Sequence, residues 1–203
     1  MRRLPFTRPD EIVTATRMAT DVVAHGGVVL LPTESFYGLG VDPQQAEGVA
    51  RVCAMKERAP ELGLPVLCAS WEQLETLVEV PEDFRVRLSR LWPAPLTVVV
   101  PFIAATAAAR NDTLAVRIPA HASLRALLYH TGPLTGTSAN RHGQPPCTTP
   151  DAAVASLLEA PDLVLDAGPT AGGEPSTVVD LSRRNPRVLR FGACPWDDPD
   201  PVC

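Results

Sequence analysis

No stretch of the 203 residues approaches the roughly 20 consecutive apolar positions that a membrane-spanning helix needs. The opening MRRLPFTRPDEIV lacks the apolar run of a secretory signal, so a cytoplasmic protein with no membrane association is expected. Cysteine is sparse and badly spaced for chemistry. Cys53, Cys68, Cys147, Cys194 and Cys203 contain no CxxC pair and are odd in number, which argues against a zinc knuckle and against a disulfide framework. Reduced thiols are the expectation. No G-x-G-x-x-G opens a helix, so a dinucleotide fold is not indicated. None of His25, His121, His130 and His142 sits in a hydrolase-like motif, and no cluster has metal-ligand spacing, so no protein metal site is expected. A basic surplus is missing too. Eighteen Lys and Arg against 23 Asp and Glu leave a net charge of −5, which argues against tight, salt-resistant nucleic-acid binding. A local basic cleft is compatible with that sum, because field follows arrangement.

What is present reads as one folded unit. A hydrophobic content of 45% is enough to build a core in a chain of this length. The 22 prolines are dispersed, so they mark turns and helix starts and not a disordered tract. Helical periodicity covers 10–25, ended by Gly26-Gly27. Asp42-Pro43 reads as an N-cap and first turn for a helix to Met55. SWEQ at 70–73 matches a capping box. Helices are further expected over PEDFRVRLSRLW, stopped by Pro93, over 122–130, and after Thr149-Pro150. Strands are expected at 28–31, 64–69, LTVVVPF, LAVRIP, LVLDAG, STVVDLS and RVLRFG, and PLTGTSAN reads as a strand running into a loop. Alternating helices and strands that cluster late in the chain predict an α/β fold with a twisted mixed sheet and flanking helices.

Polar groups gather at the ends of apolar runs. PTESFYGLG (32–40) places Thr33, Glu34 and Ser35 after a buried-looking strand, with Gly38 and Gly40 read as turn-makers. KER brings Lys56 and Arg58, LAVRIP brings Arg117, GTSAN brings Thr137, Ser138 and Asn140, PST brings Ser176, and LRFG brings Arg190. Each has an ordinary structural explanation: helix-end charge for Lys56 and Arg58, turn bonding for the hydroxyls and the amide, an outward strand face for Arg117. Together they form a set of cations and hydroxyls without a nucleophile. Such a set suits group transfer by positioning and charge stabilisation on phosphate oxygens.

PTESFYGLG, KER, WPAPLTVVV, LAVRIP, TGTSAN and PSTVVDL occur in the order found in the YrdC/Sua5 family, which the chain resembles over about residues 12–192. The resemblance implies a single YrdC-like domain over 1–203, with a short tail at 193–203 and without the extra C-terminal domain of longer members. It implies a concave, positively charged cleft on the sheet. The family contains the threonylcarbamoyl-AMP synthases, nucleotidyltransferases that join L-threonine, bicarbonate and ATP into L-threonylcarbamoyl-adenylate and pyrophosphate. That product feeds the N6-threonylcarbamoyladenosine modification at tRNA position 37 through downstream threonylcarbamoyl-transferase proteins. By resemblance, Lys56 and Arg58 are catalytic and bind ATP together with Thr137, Ser138, Asn140 and Arg190. Thr33, Tyr37, Arg117 and Ser176 bind threonine. Mg2+ accompanies ATP, and tRNA or double-stranded RNA makes at most a weak contact.

The chain departs from the family pattern at four points. Ala59 stands where Pro is usual, Leu62 where a second Lys is usual, Ser35 where Thr is frequent, and Gly136 where Ser or Thr precedes TSAN. Two rival readings follow from the same fold: an RNA-binding YrdC paralogue without synthase activity, and a carbamoyl-transfer domain that normally sits in longer chains.

Overall fold

The computed structural model describes residues 1–196; Cys203 and the tail from 197 lie outside the described residues. In chain order the elements are β1 (Arg2–Pro5), α1 (Pro9–Ala24), β2 (Val29–Pro32), β3 (Tyr37–Gly40), α2 (Ala46–Met55), β4 (Val66–Leu67), α3 (Trp71–Leu74) and α4 (Glu82–Leu91). They continue with β5 (Leu96–Pro101), β6 (Thr113–Arg117), α5 (Ala122–Thr131), β7 (Leu134–Thr135), β8 (Thr137–Ser138), α6 (Pro150–Ser156), β9 (Leu163–Asp166), β10 (Thr177–Asp180) and β11 (Arg187–Arg190). The expected mixed sheet is two sheets. One runs β1-β9-β2-β3-β8, the other β11-β10-β5-β6-β4-β7. Both mix parallel and antiparallel pairs, as in β2 against β9 and β2 against β3.

The continuous apolar runs of β2 and β9 follow from burial on both faces. Val29, Leu31, Leu163 and Leu165 pack with α1 and α5 in one core, through Ala15, Ala19, Leu124 and Leu128. Leu30 and Val164, pointing the other way, join a second core with Val98, Val116 and Val179 from the other sheet. Local signals set most helix ends. Glu11 accepts from the Thr7 and Arg8 amides ahead of α1. The Ser70 hydroxyl accepts from the Gln73 amide, as its capping motif predicts, and the Thr149 hydroxyl accepts from Ala152.

Three expectations need correction. Asp42-Pro43 does not open α2, which starts at Ala46. The Pro43 carbonyl that a helix would use instead accepts from Ala108 and from the Thr106 hydroxyl, and Asp42 closes a turn onto Gln44. YGLG is a strand and not a turn. Gly38 and Gly40 serve closeness: a Cβ on Gly38 would meet the Thr137 carbonyl at 3.2 Å, and one on Gly40 would meet Leu31 at 2.7 Å. The PLTGTSAN strand is split between the sheets, since β7 pairs with β4 while β8 pairs with β3.

Gly136 alone makes that crossing, with the Leu67 side chain occupying the space a Cβ would need, at 2.3 Å from Cγ. The Gly136→Ala variant is therefore expected to lose roughly 1–3 kcal/mol in urea unfolding through overpacking. Adding Leu67→Ala should cost less in that background than in the native chain. Unaltered stability of Gly136→Ala would contradict the packing described.

Candidate active site

Strand alternation makes the floor of the site. Strands β10, β5 and β6 lie side by side and turn Val98, Val100, Leu114, Val116 and Val179 into the core. The intervening residues, Thr97 and Val99, Thr113, Ala115 and Arg117, and Val178 and Asp180, with Ser176 just ahead of β10, face a cleft of ≈ 830 Å³. That volume falls in the upper part of the range for small-molecule sites.

The wall opposite comes from the other sheet. The turn joining β2 to β3 is tied by Thr33, whose hydroxyl donates to the Phe36 carbonyl at 2.7 Å and accepts from the Ser35 and Phe36 amides. The turn reading of Thr33 and the cleft reading are both satisfied, because Thr33 and Ser35 also line the cleft. Beyond β8, the Asn140 amide nitrogen donates to the carbonyls of Arg141 and Gln144, at 2.8 and 2.6 Å. Its carbonyl oxygen is buried with no hydrogen-bond partner among the described residues. Thr137, Ser138 and Asn140 all line the cleft.

The cations are preoriented by the protein. Arg117, 7% exposed, pairs with Glu34 at 2.5 Å, and Glu34 also accepts from the Ala120 amide. The Arg117 Nε is left buried and unbonded, as is the second Glu34 oxygen. Arg190 donates to the Ser176 carbonyl at 2.7 and 3.0 Å and to its hydroxyl at 3.0 Å; that hydroxyl lies 3.1 Å from the Thr97 hydroxyl. Arg58 donates to the carbonyl of Gly63 at 3.0 Å and to that of Leu62. Burial pulls both Arg58 and Arg190 below the ordinary arginine pKa, and the like charges of Arg110 and Arg117 add to it, respectively. Such crowding of cations is relieved by a bound anion.

One residue, Lys56, stands outside the cleft, and a second, Tyr37, reaches it with its hydroxyl already committed. Lys56 does not line the cleft. Only 2% exposed, its ammonium donates to the main-chain carbonyls of Ser138 and, at 2.5 Å, Asn140, while its own carbonyl accepts from the His142 amide at 2.7 Å. Burial, then the neighbouring Arg58, pushes its pKa down to about 8. Lys56 thus fastens the end of α2 to the wall segment from behind. Tyr37 touches the cleft but is fully buried, and its hydroxyl is committed to the Gly168 carbonyl and the Ala167 amide. It braces the wall and offers no free hydroxyl. The other eight residues, Thr33, Arg58, Arg117, Thr137, Ser138, Asn140, Ser176 and Arg190, all converge on the cleft. Sequence reasoning missed Thr97, Thr113, Arg110, Asp112 and Asp180. Counting back by twos from Arg117 would have found Thr113.

Replacing Lys56 by Met leaves two carbonyl oxygens without their donor, so a stability loss of about 2 kcal/mol or more is expected in denaturant titration. Amide exchange at 138–142 should quicken with it. Equal or higher stability, the usual result when a merely buried charge is removed, would contradict the clamp.

Comparison with known proteins places this geometry. The Sua5/YciO/YrdC family model, described as "Telomere recombination", matches residues 21–192. The chain is 38% identical over 176 residues to the threonylcarbamoyl-AMP synthase of Pseudomonas paraeruginosa, covering 85% of this chain and 89% of that one. It is 34% identical over 191 residues to the Pyrococcus abyssi threonylcarbamoyl-AMP synthase, covering 92% of this chain but 56% of that one, so it spans little more than half of the archaeal protein. The crystal structure of P. abyssi Sua5 complexed with L-threonine superposes with a TM-score of 0.87 at 32% identity, covering 95% of this chain and 58% of that one. E. coli YciO, at 24% identity, shares the fold, with a TM-score of 0.81 and 94% of each chain covered. On residues, fold and relatives alike, the chain belongs to the Sua5/YciO/YrdC family.

Proposed function

We propose that the protein is an L-threonylcarbamoyladenylate synthase, a nucleotidyltransferase acting on L-threonine, bicarbonate and ATP in the N6-threonylcarbamoyladenosine modification of tRNA. The observation that carries this reading is the meeting of eight hydroxyl, amide and guanidinium side chains in one cleft of ≈ 830 Å³. Relatives named threonylcarbamoyl-AMP synthase support it, as does the L-threonine complex of the P. abyssi protein.

Arg117, held by Glu34, meets the threonine carboxylate, and Ser176 and Thr33 line the same cleft. The threonine amine adds to the carbon of bicarbonate and water leaves, giving an N-carboxylate. An oxygen of that carboxylate attacks the α-phosphorus of ATP, the bond from that phosphorus to the bridging oxygen breaks, and pyrophosphate departs with the electron pair. Arg58 and Arg190 stabilise the charge that gathers on the phosphate oxygens. Thr137, Ser138 and Asn140 position the nucleotide, while Lys56 acts through them as a positioning residue.

Among the described residues no group of three or more His, Cys, Asp or Glu is arranged to hold a metal. The carboxylates in the cleft are Asp112 and Asp180, and one Asp180 oxygen is taken by Ser182. That donor set fits a Mg2+ ion held mainly by ATP and water, with these aspartates within the same cleft. Such an ion would offset charge on the phosphate oxygens.

Pyrophosphate release should require ATP, L-threonine and bicarbonate together. Release indifferent to threonine would overturn the assignment. The Arg117→Lys variant loses the fork that matches a carboxylate, so its KM for threonine should rise roughly tenfold with a smaller change in the KM for ATP. An unchanged threonine KM would remove Arg117 from the threonine subsite.

A further inference from the structure

Five arginines line the cleft: Arg58, Arg110, Arg117, Arg183 and Arg190. Three are already engaged, Arg58 with loop carbonyls, Arg117 with Glu34 and Arg190 with Ser176. Arg110 differs. Among the described residues its guanidinium makes no hydrogen bond and no ion pair, although its backbone is fixed on both sides by Thr113. An unpaired guanidinium on a hydrogen-bonded turn that lines a cleft is a ready anion ligand.

Its place is well defined. The loop after Arg58 folds against the turn that carries Arg110: the Leu64 amide donates to the Ala108 carbonyl at 2.9 Å, and a Cβ built on Gly63 would lie 3.0 Å from the Arg110 Cβ. Arg58 donates to that same Gly63 carbonyl, and the charge of Arg110 is felt at Arg58. Leu62 shares this rim, half-exposed and uncharged. Along the floor, Arg110 stands at the Thr113 end of β6, four residues up the strand from Thr113 to the threonine-side Arg117. At roughly 3.3 Å per residue, about 13 Å separates those ends, which is room for a phosphate chain to run from the reacting α-phosphorus toward Arg110.

Building on the synthase reading, we propose that Arg110 is a substrate-binding residue that pairs with Arg58 to hold the terminal phosphates of ATP, the part that leaves as pyrophosphate. It supplies the rim charge that Leu62 does not.

Binding titrations test this without turnover, using Mg-ATP, AMP, inorganic pyrophosphate and L-threonine separately. Arg110→Ala should weaken Mg-ATP and pyrophosphate roughly tenfold, the effect of one charge-assisted contact, and leave AMP and L-threonine unchanged. Arg184→Ala removes the same charge from outside the cleft lining and should change none of the four. Leu62→Lys in the Arg110→Ala background should recover most of the lost pyrophosphate affinity. Native affinity for ATP and pyrophosphate in Arg110→Ala would overturn the inference while leaving the synthase reading intact. Equal losses for AMP and ATP would overturn it as well, by placing Arg110 at the nucleoside. A wild-type protein that binds neither ATP nor L-threonine would overturn the function and this inference with it.

Discussion

One face of three neighbouring strands is bare because the other is fully buried. Val98, Val100, Leu114, Val116 and Val179 anchor β5, β6 and β10 in the larger core. The strand period of two then leaves Thr97, Thr113, Arg117 and Asp180 no direction except into the cleft. A register slip by one residue would exchange the two sets, turning Arg117 into the apolar core and valines into the cleft, so core packing and site geometry are set by the same hydrogen-bond ladder.

On that floor the guanidiniums are clustered. Arg117 has Glu34, but among the described residues Arg58 and Arg190 are held only by neutral carbonyls and a hydroxyl, and each sits near another guanidinium. Orientation comes from the protein, and neutralisation is left to the substrate. The wall is treated in the same way. Its segment 138–142 is gripped from behind by Lys56, which frees the front for a ligand. A lysine thus contributes by shaping backbone, while the arginines line the cleft, consistent with the compact ammonium and the broad guanidinium fork.

How much of this could be read from letters differs by element. The two-sided burial of β2 and β9 is visible as unbroken apolar runs, and the α3 cap as a motif. The start of α2 is not, because the Pro43 carbonyl is claimed by residues more than 60 positions away. The split at Gly136 depends on where Leu67 lies, which no local pattern encodes. Residue type singled out Arg117, Ser138, Asn140 and Arg190, and all four line the cleft. It also singled out Lys56 and Tyr37, whose polar ends are bonded to main-chain groups of the protein, which no local pattern encodes. Arg110 carries no motif; only the folding of the 58–64 loop against its turn makes it part of the site.

The measurement that most directly tests this arrangement is a crystal structure with L-threonine and a non-hydrolysable ATP analogue bound together. The expected result is a threonine carboxylate bonded to Arg117, and phosphates lying over β6 toward Arg58, with Ser138 and Asn140 facing the nucleotide. Ligands bound away from the face formed by β10, β5 and β6, or a triphosphate seated on Arg117 in place of threonine, would contradict it.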